Sequence, residues 1–348
     1  MRRTIVGGVD THLATHQAAV LTNLGEVVGS REFAATRTGY ESLLTWMRGL
    51  GDLRSVGIEG TGSYGAGLAR HLLDRDVEVF EVPRPDRRLR RQLGKSDPVD
   101  AEAAARAVLS GSRLTASKVA DGPMESIRML REARSGALKA RTAATNSLRS
   151  LVVTAPEALR MRLRGLTRGQ LVTVCRRFRG DGSVVGDPEQ VAKIALRSIA
   201  ERVHALGLET SSLDRELARL AAHAAPNTMA LFGLGPDSAG ALLVSIGDNP
   251  DRLRSESAFA RLAGVAPIPA SSGQTRRHRL HRGGNRAANS ALHVAVVVRL
   301  RYCPRTRAYA DRRRAEGLSM SEIIRCLKRY LAREVFVALR ADYALMAA

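Results

Sequence analysis

The sequence predicts a mixed α/β domain, then a long helical arm, then a mostly helical carboxy-terminal domain. Three strand-like stretches open the chain, and helical and strand-like stretches alternate after them, which is the pattern of a layered α/β structure. From about residue 121, apolar residues recur at spacings of three and four over some 30 positions, the period of an amphipathic helix. We therefore place domains at 1–115, 121–226 and 227–348.

The amino-terminal domain is predicted to contain five strands with helices between and after them. The strands are expected at TIVGGVD (4–10), QAAVLT (17–22), EVVGSREF (26–33), RSVGIEG (54–60) and VEVFEV (77–82). The turn residues at 23–25 predict a hairpin between the second and third strands. Helices are expected at 39–50, at 65–76 and up to about residue 110.

The rest of the chain is predicted to be helical. Two long helices, 125–153 and 198–224, are expected to pack as an antiparallel arm or coiled coil. The segment LFGLGPDSAGALLVSIGD (231–248) has glycines around a turn and then an alanine-rich helix, so it resembles a helix-hairpin-helix. Such a segment holds a DNA phosphate with backbone N–H groups, whereas an ordinary tight connection between helices explains the same residues.

The composition indicates a nucleic-acid partner. The net charge is +21 and the isoelectric point is near 11.2, and such a chain attracts polyanions at long range. Aromatic residues make up 4% of the chain, which argues against base stacking as the main mode of binding. Between residues 271 and 340 there are 17 Lys and Arg residues against 4 Asp and Glu, so that region is expected to contact nucleic acid.

The sequence also limits where the protein acts. It has no apolar run of about 18 residues and therefore no predicted membrane span. Its three cysteines, Cys175, Cys303 and Cys326, are far apart and lack zinc-site spacing, which favours the reducing cytoplasm.

Four acidic residues occupy places where they could share one site. Asp10 ends the first predicted strand, Glu59 ends the fourth, and Asp97 and Asp100 share one face at the start of a helix. Converging carboxylates need cations, and Mg²⁺ or Mn²⁺ suits an all-oxygen site that acts on a phosphodiester. The alternative is that Asp97 is a helix N-cap, with Pro98 at the first helical position.

One group of basic residues precedes Asp97, and another follows a pair of serines further along the chain. The first group is expected to bring nucleic acid to the acidic site and comprises Arg84, Arg87, Arg88, Arg90, Arg91 and Lys95. The second group lies in or after PIPASSGQTRRHR (267–279) and comprises Arg276, Arg277, Arg279, Arg282 and Arg286. A serine there could attack a phosphate that the arginines hold, or the loop could merely contact phosphates.

The combination of these motifs resembles one family. Asp10, IEGTGSYG (58–65) and KSDPVDA (95–101), in that order, resemble the DEDD transposases of insertion sequence family 110, which are relatives of the Piv invertase. LAGVAPIPASSGQTRRHRLHRGGNRAANSAL (262–292) resembles their second domain, and GLGPDSAGALLVSIGD (233–248) resembles the segment upstream of it. The resemblance covers about 5–110 and 228–340. HRGGN (281–285) departs from it by one extra glycine.

The resemblance implies a fold, a site and partners. It implies a RuvC-like domain with the RNase H fold, in which Asp10, Glu59, Asp97 and Asp100 bind Mg²⁺ or Mn²⁺. The catalytic serine falls on Ser272, which directly precedes a glycine, with Ser271 as the alternative. Cleavage through a 5′-phosphoserine, a structured guide RNA encoded by the element, and a homo-oligomer (dimer or tetramer) are also implied.

The sequence therefore predicts a cytoplasmic transposase, a DNA recombinase of insertion sequences. Two alternatives stay open at this point. One is a metal-dependent nuclease or junction resolvase that uses water as the nucleophile. The other is a non-catalytic relative that only binds nucleic acid.

Overall fold

The computed structural model describes residues 3–82, 96–111, 114–117, 122–183, 186–248, 253–270 and 278–347. The chain forms two compact units: unit 1 comprises 1–125 and 246–255, and unit 2 comprises 126–245 and 256–348. The predicted combination of a mixed α/β sheet with many helices is confirmed. The three domain boundaries stay a prediction.

Unit 1 contains a six-stranded sheet with the order β3-β2-β1-β4-β5-β6. Its strands are β1 Thr4–Thr11, β2 Thr15–Thr22, β3 Val27–Ala34, β4 Asp52–Glu59, β5 Glu78–Val82 and β6 Thr115–Ala116. The first three strands pair antiparallel, β4 and β5 continue parallel to β1, and β6 is antiparallel. All five predicted strands are present, and the hairpin at 23–25 is confirmed.

Helices cover both faces of this sheet. They are α1 Arg37–Leu50, α2 Ala66–Leu73 and α3 Asp97–Ser110. On one face, Leu43 of α1 and Leu68 of α2 pack against Ile5, Val9 and Ile58. On the other face, small side chains of α3 pack against the sheet in a second buried cluster. The sheet is thus the middle layer of three.

The arm of unit 2 contains α4 Pro123–Thr154, α5 Glu157–Leu163, α6 Arg168–Arg176 and α7 Pro188–Ala224. The helices α4 and α7 run antiparallel. Arg134, early in α4, pairs with Asp214, late in α7. Leu148, late in α4, packs with Leu196, early in α7. The prediction that the second long helix begins at 198 is wrong. It begins ten residues earlier, where Asp187 accepts a hydrogen bond from the Glu189 N–H and ends the preceding loop.

The remainder of unit 2 contains α8 Pro226–Met229, α9 Pro236–Ile246, α10 Glu256–Leu262, β7 Ile268–Pro269, β8 His278–Arg279, α11 Arg286–Tyr302, α12 Pro304–Ala315 and α13 Met320–Ala347. The longest of these, α13, buries Leu331, Val335 and Leu339. None of the described helices has the length and apolar character of a membrane span.

Candidate metal centre and nucleic-acid interface

Asp10 and Glu59 lie on the same face of the sheet, at the same edge. Val6 packs on the face that α3 covers, and side chains alternate along a strand, so Asp10 projects to that face too. In β4, Gly57 packs against α3, and Glu59 follows it by two residues. The parallel register of β1 and β4 places the ends of both strands side by side.

Close backbone contact brings the start of α3 to this edge. A Cβ atom on Gly8 would lie 2.2 Å from both the Ala101 carbonyl oxygen and the Ala105 nitrogen. A Cβ atom on Gly57 would lie 2.8 Å from the Ala104 carbonyl oxygen. Because α3 rests directly on two glycines, its first turn, with two aspartates, lies over the carboxyl ends of β1 and β4.

We expect Gly8→Ala to displace α3 and to lower the free energy of unfolding by about 3 kcal/mol, since the added methyl group meets backbone atoms that cannot rotate away. Urea unfolding would measure the loss. Gly49→Ala is the matched control, because a Cβ atom there has no neighbour within 4 Å and alanine favours the helix. Equal stability of the two variants would contradict this account of how α3 docks.

The N-cap interpretation of Asp97 is wrong. Ser96 is the N-cap residue, with extended backbone and no capping hydrogen bond from its side chain, and Asp97 is the first helical residue. The Asp97 carboxylate instead lies 3.4 Å from His12 Nε2, which is also 3.3 Å from an Asp10 carboxylate oxygen. Asp100 is in the first turn, as expected, and is buried.

The carboxylates in this cluster repel each other. Burial raises the pKa of Asp10 above its ordinary value, and the charges of Asp100 and Asp97 raise it further. The nearby His12 and the backbone N–H of Thr11 oppose that rise. Negative charge is therefore only partly compensated at this edge, which is the electrostatic condition that favours a bound cation.

The residues present fit a divalent metal ion. Asp10, His12 and Asp97 each offer one ligand atom, and these atoms lie within 4.8 Å of one another. Carboxylate oxygens suit Mg²⁺ and Mn²⁺, and an imidazole nitrogen is accepted more readily by Mn²⁺. The sequence predictions did not include His12. The available signal was its spacing, because His12 follows Asp10, near the end of the first strand, by only two residues.

Several predicted site residues lie outside the described residues. They are Ser271, Ser272, Arg276, Arg277, Arg84, Arg87, Arg88, Arg90, Arg91 and Lys95. Three predicted nucleic-acid contacts are described: Arg279 in β8, Arg282 in the following turn, and Arg286 at the start of α11. All three are exposed, so they are accessible to a polyanion.

The second glycine in HRGGN makes a close backbone contact. A Cβ atom on Gly284 would lie 2.3 Å from Cα of Gly264, so the two backbones touch. Asn285 then caps α11, because its side-chain oxygen accepts hydrogen bonds from the N–H groups of Ala287 and Ala288. This segment therefore holds α11 in place.

A strongly basic chain with a carboxylate cluster at the edge of an α/β sheet has the features of a metal-dependent protein that processes nucleic acid. The comparison with known families makes this specific. A family model described as a transposase matches residues 7–155, and the model of the transposase IS116/IS110/IS902 family matches residues 225–311. The chain belongs to the IS110 family of transposases.

A relative is known from Streptomyces coelicolor. This 43.6 kDa protein of insertion element IS110 is 32% identical to the chain over 151 residues. Those residues make up 42% of this chain and 37% of the relative, so the match spans well under half of the relative's length.

Proposed function

We propose that this protein is an active transposase that cuts and rejoins DNA to move an insertion sequence. The observation that carries the proposal is the approach of the Asp10 and Asp97 ligand atoms to within 4.8 Å at the sheet edge, in a chain of net charge +21. Family membership supports the same activity. The strand order, with an antiparallel β2 beside β1 and parallel β4 and β5, supports a RuvC-like, RNase H-type fold.

The proposed metal ligands are Asp10, Glu59, Asp97 and Asp100. Bound Mg²⁺ or Mn²⁺ would supply Lewis-acid stabilisation of charge on the phosphate. The chain's own contribution is to hold the carboxylates at fixed positions, through β1, β4 and the start of α3. His12 contacts both Asp10 and Asp97, and we propose that it orients the two carboxylates.

The proposed nucleophile is Ser272, with Ser271 as the alternative. Its Oγ–H proton passes to water, an Oγ–P bond forms, and the P–O3′ bond breaks. The leaving O3′ takes up a proton and becomes a 3′-hydroxyl, while the 5′-phosphate stays on the serine. Arg279, Arg282 and Arg286 would hold the strand, and the helix-hairpin-helix-like segment 231–248 would contact backbone phosphates.

The proposed partners follow from the family. DNA of the element ends and of the target is the substrate, and a structured RNA encoded by the element would guide the protein to both. We propose a cytoplasmic homo-oligomer, since exchange requires several strands to be cut together. Exposed apolar side chains along the arm, including Val153, Met161 and Val191, support an interface there.

We expect Ser272→Ala to abolish a covalent protein–DNA adduct. The protein would be purified with its bound RNA and incubated with labelled element-junction DNA and Mg²⁺, and a denaturing gel would detect the adduct. Ser271→Ala tests the alternative serine. Ser147→Ala, which changes an exposed serine of α4, is the matched control and should leave the adduct intact.

The same gel separates the alternatives. Cut DNA without an adduct, unaffected by either serine change, would support a metal-dependent nuclease or junction resolvase, for which the carboxylate cluster alone suffices. The absence of any product with intact binding would support a non-catalytic relative.

A further inference from the structure

Unit 2 contains a cavity of about 830 Å³ whose described lining is strongly cationic. Parts of α10, the segment 264–267, the strand β8, Arg313 of α12 and the first half of α13 form its walls. Seven arginine and lysine side chains line it, and Glu322 is the one acidic residue among its described lining residues. We call it the basic cavity, and Arg279 is the one residue of its described lining to which the proposed function assigns a role.

The nearby carboxylates are already engaged. Glu322 accepts a hydrogen bond of 2.7 Å from the Ser319 hydroxyl and lies 3.7 Å from Arg325. Glu256 pairs with Arg329 and Arg333, at 2.5 Å and 3.0 Å. These pairs neutralise only part of the positive charge around the cavity.

Lys328 is the cation whose placement points most clearly to a ligand. Its side chain is 7% exposed, and its ammonium group donates a 2.9 Å hydrogen bond to Asn289 Oδ1. Asn289 is fixed in turn, because its amide donates to the carbonyl oxygens of Ala263 and Gly264. Among the described residues, no carboxylate pairs with Lys328 and its other two N–H bonds have no acceptor.

Burying a charged ammonium group without a paired anion costs free energy. Burial lowers the pKa of Lys328, and the charge of Arg325 lowers it further. His281 provides a second polar group that could bind a ligand, since its Nδ1 atom is buried without a hydrogen-bond partner in the described part of the chain. Both residues line the basic cavity.

Lysine is rare in this chain, so its occurrence at position 328 is unusual. Only five of its 55 basic residues are lysines, namely Lys95, Lys118, Lys139, Lys193 and Lys328. After residue 193, Lys328 is the sole lysine among many arginines. An ammonium group is a compact point charge on a flexible stem, whereas a guanidinium is a planar fork of donors, so the two are not interchangeable.

We propose that the basic cavity binds a phosphodiester group of a nucleic-acid strand, with the Lys328 ammonium donating to a non-bridging oxygen. Asn289 is the positioning residue that aims the ammonium. The inference rests on nucleic acid as the substrate, and it assigns a role to Lys328, which lies beyond the family-matched segment that ends at residue 311.

We expect Lys328→Met to raise the dissociation constant for a labelled oligonucleotide about 10-fold, since one charge-assisted hydrogen bond is lost. For duplex DNA, the slope of log affinity against log salt should fall by about 0.9. Lys193→Met is the matched control, because Lys193 already pairs with Glu189 at 2.7 Å, and it should change affinity by less than about 2-fold. Fluorescence anisotropy at several salt concentrations measures both quantities.

Two strands of one sequence, DNA and RNA, distinguish the source of the phosphodiester. A loss confined to DNA assigns the cavity to the substrate strand, and a loss confined to RNA assigns it to the guide. A methylphosphonate oligonucleotide, whose backbone is uncharged, should bind wild type and Lys328→Met equally. Unchanged affinity of Lys328→Met for both strands would overturn the proposal.

A measurement on the wild-type protein covers the case in which the variant does not fold. Biosynthetic labelling with ε-¹³C-lysine reports on the five lysines without altering their ammonium groups, and the signal of Lys328 should shift, with a raised pKa, when the oligonucleotide is added. A Lys328 signal that stays unchanged would sink the inference. Because binding is measured separately from adduct formation, failure here leaves the proposed transposase reaction untouched, and the reverse also holds.

Discussion

Replacing Asp10 with asparagine should reduce DNA cleavage by about 1,000-fold, because the change removes a charged ligand from the proposed metal centre. The substitution keeps the size of the side chain. Since burial and neighbouring aspartates already raise the pKa of Asp10, the charged carboxylate is unfavourable in the folded protein, and its removal should leave the melting temperature unchanged or higher.

Metal binding gives this prediction a second measurement. In wild type, Mn²⁺ at about 100 times its dissociation constant should stabilise the fold by about 2.7 kcal/mol, whereas Asp10→Asn should show little of that gain. Asp52→Asn is the matched control, because Asp52 is exposed and begins β4, at the opposite end of that strand from Glu59. Cleavage by Asp10→Asn at the wild-type rate would exclude the acidic cluster as the reaction centre.

Replacing Asp342 with alanine should lower the free energy of unfolding by about 3–5 kcal/mol, because four donors lose their acceptor inside the protein. The Asp342 side chain is fully buried. One of its oxygens accepts from the backbone N–H and side-chain amide of Asn227, at 2.8 Å and 2.9 Å. The other accepts from the N–H and hydroxyl of Thr228, at 3.0 Å and 2.6 Å.

Two further variants define the origin of that loss. Asp342→Asn keeps the shape but turns one acceptor into a donor, so its loss should be smaller than that of alanine. Asp311→Ala removes an aspartate of α12 that is 70% exposed and paired with Arg314, and it should change stability by less than about 0.5 kcal/mol. Urea unfolding of the three variants should give that order, and equal losses for Asp342→Ala and Asp311→Ala would contradict it.

Local patterns predicted the elements of unit 1 well. The strand-like run TIVGGVD and the turn at 23–25 predicted β1 and the hairpin, because strand and turn signals lie within a few residues of each other. The predicted start of α7 was wrong. The helix begins at Pro188 because Asp187 caps it with one hydrogen bond, and a Gly- and Asp-rich loop offers several residues that could take that role.

Tertiary contacts decided how the candidate site is completed. The sequence suggested a cap for Asp97, because Asp followed by Pro is a common helix start. The structure gives that position to Ser96 and brings Asp97 to His12. That contact depends on the docking of α3 against Gly8, which no local pattern encodes.

The sequence by itself determined the positive charge, the strands that end in acids, the pairing of Asp97 with Asp100 on one helical turn, and the resemblance to a transposase family. These features follow from composition and from periodicities of two and of three to four residues. Only the tertiary structure decided that His12 lies between two carboxylates, that Asp342 accepts hydrogen bonds from the start of α8, and that Lys328 donates to Asn289 beside the basic cavity. Each of these contacts joins residues brought together by packing, and their energies depend on burial that only the folded chain creates.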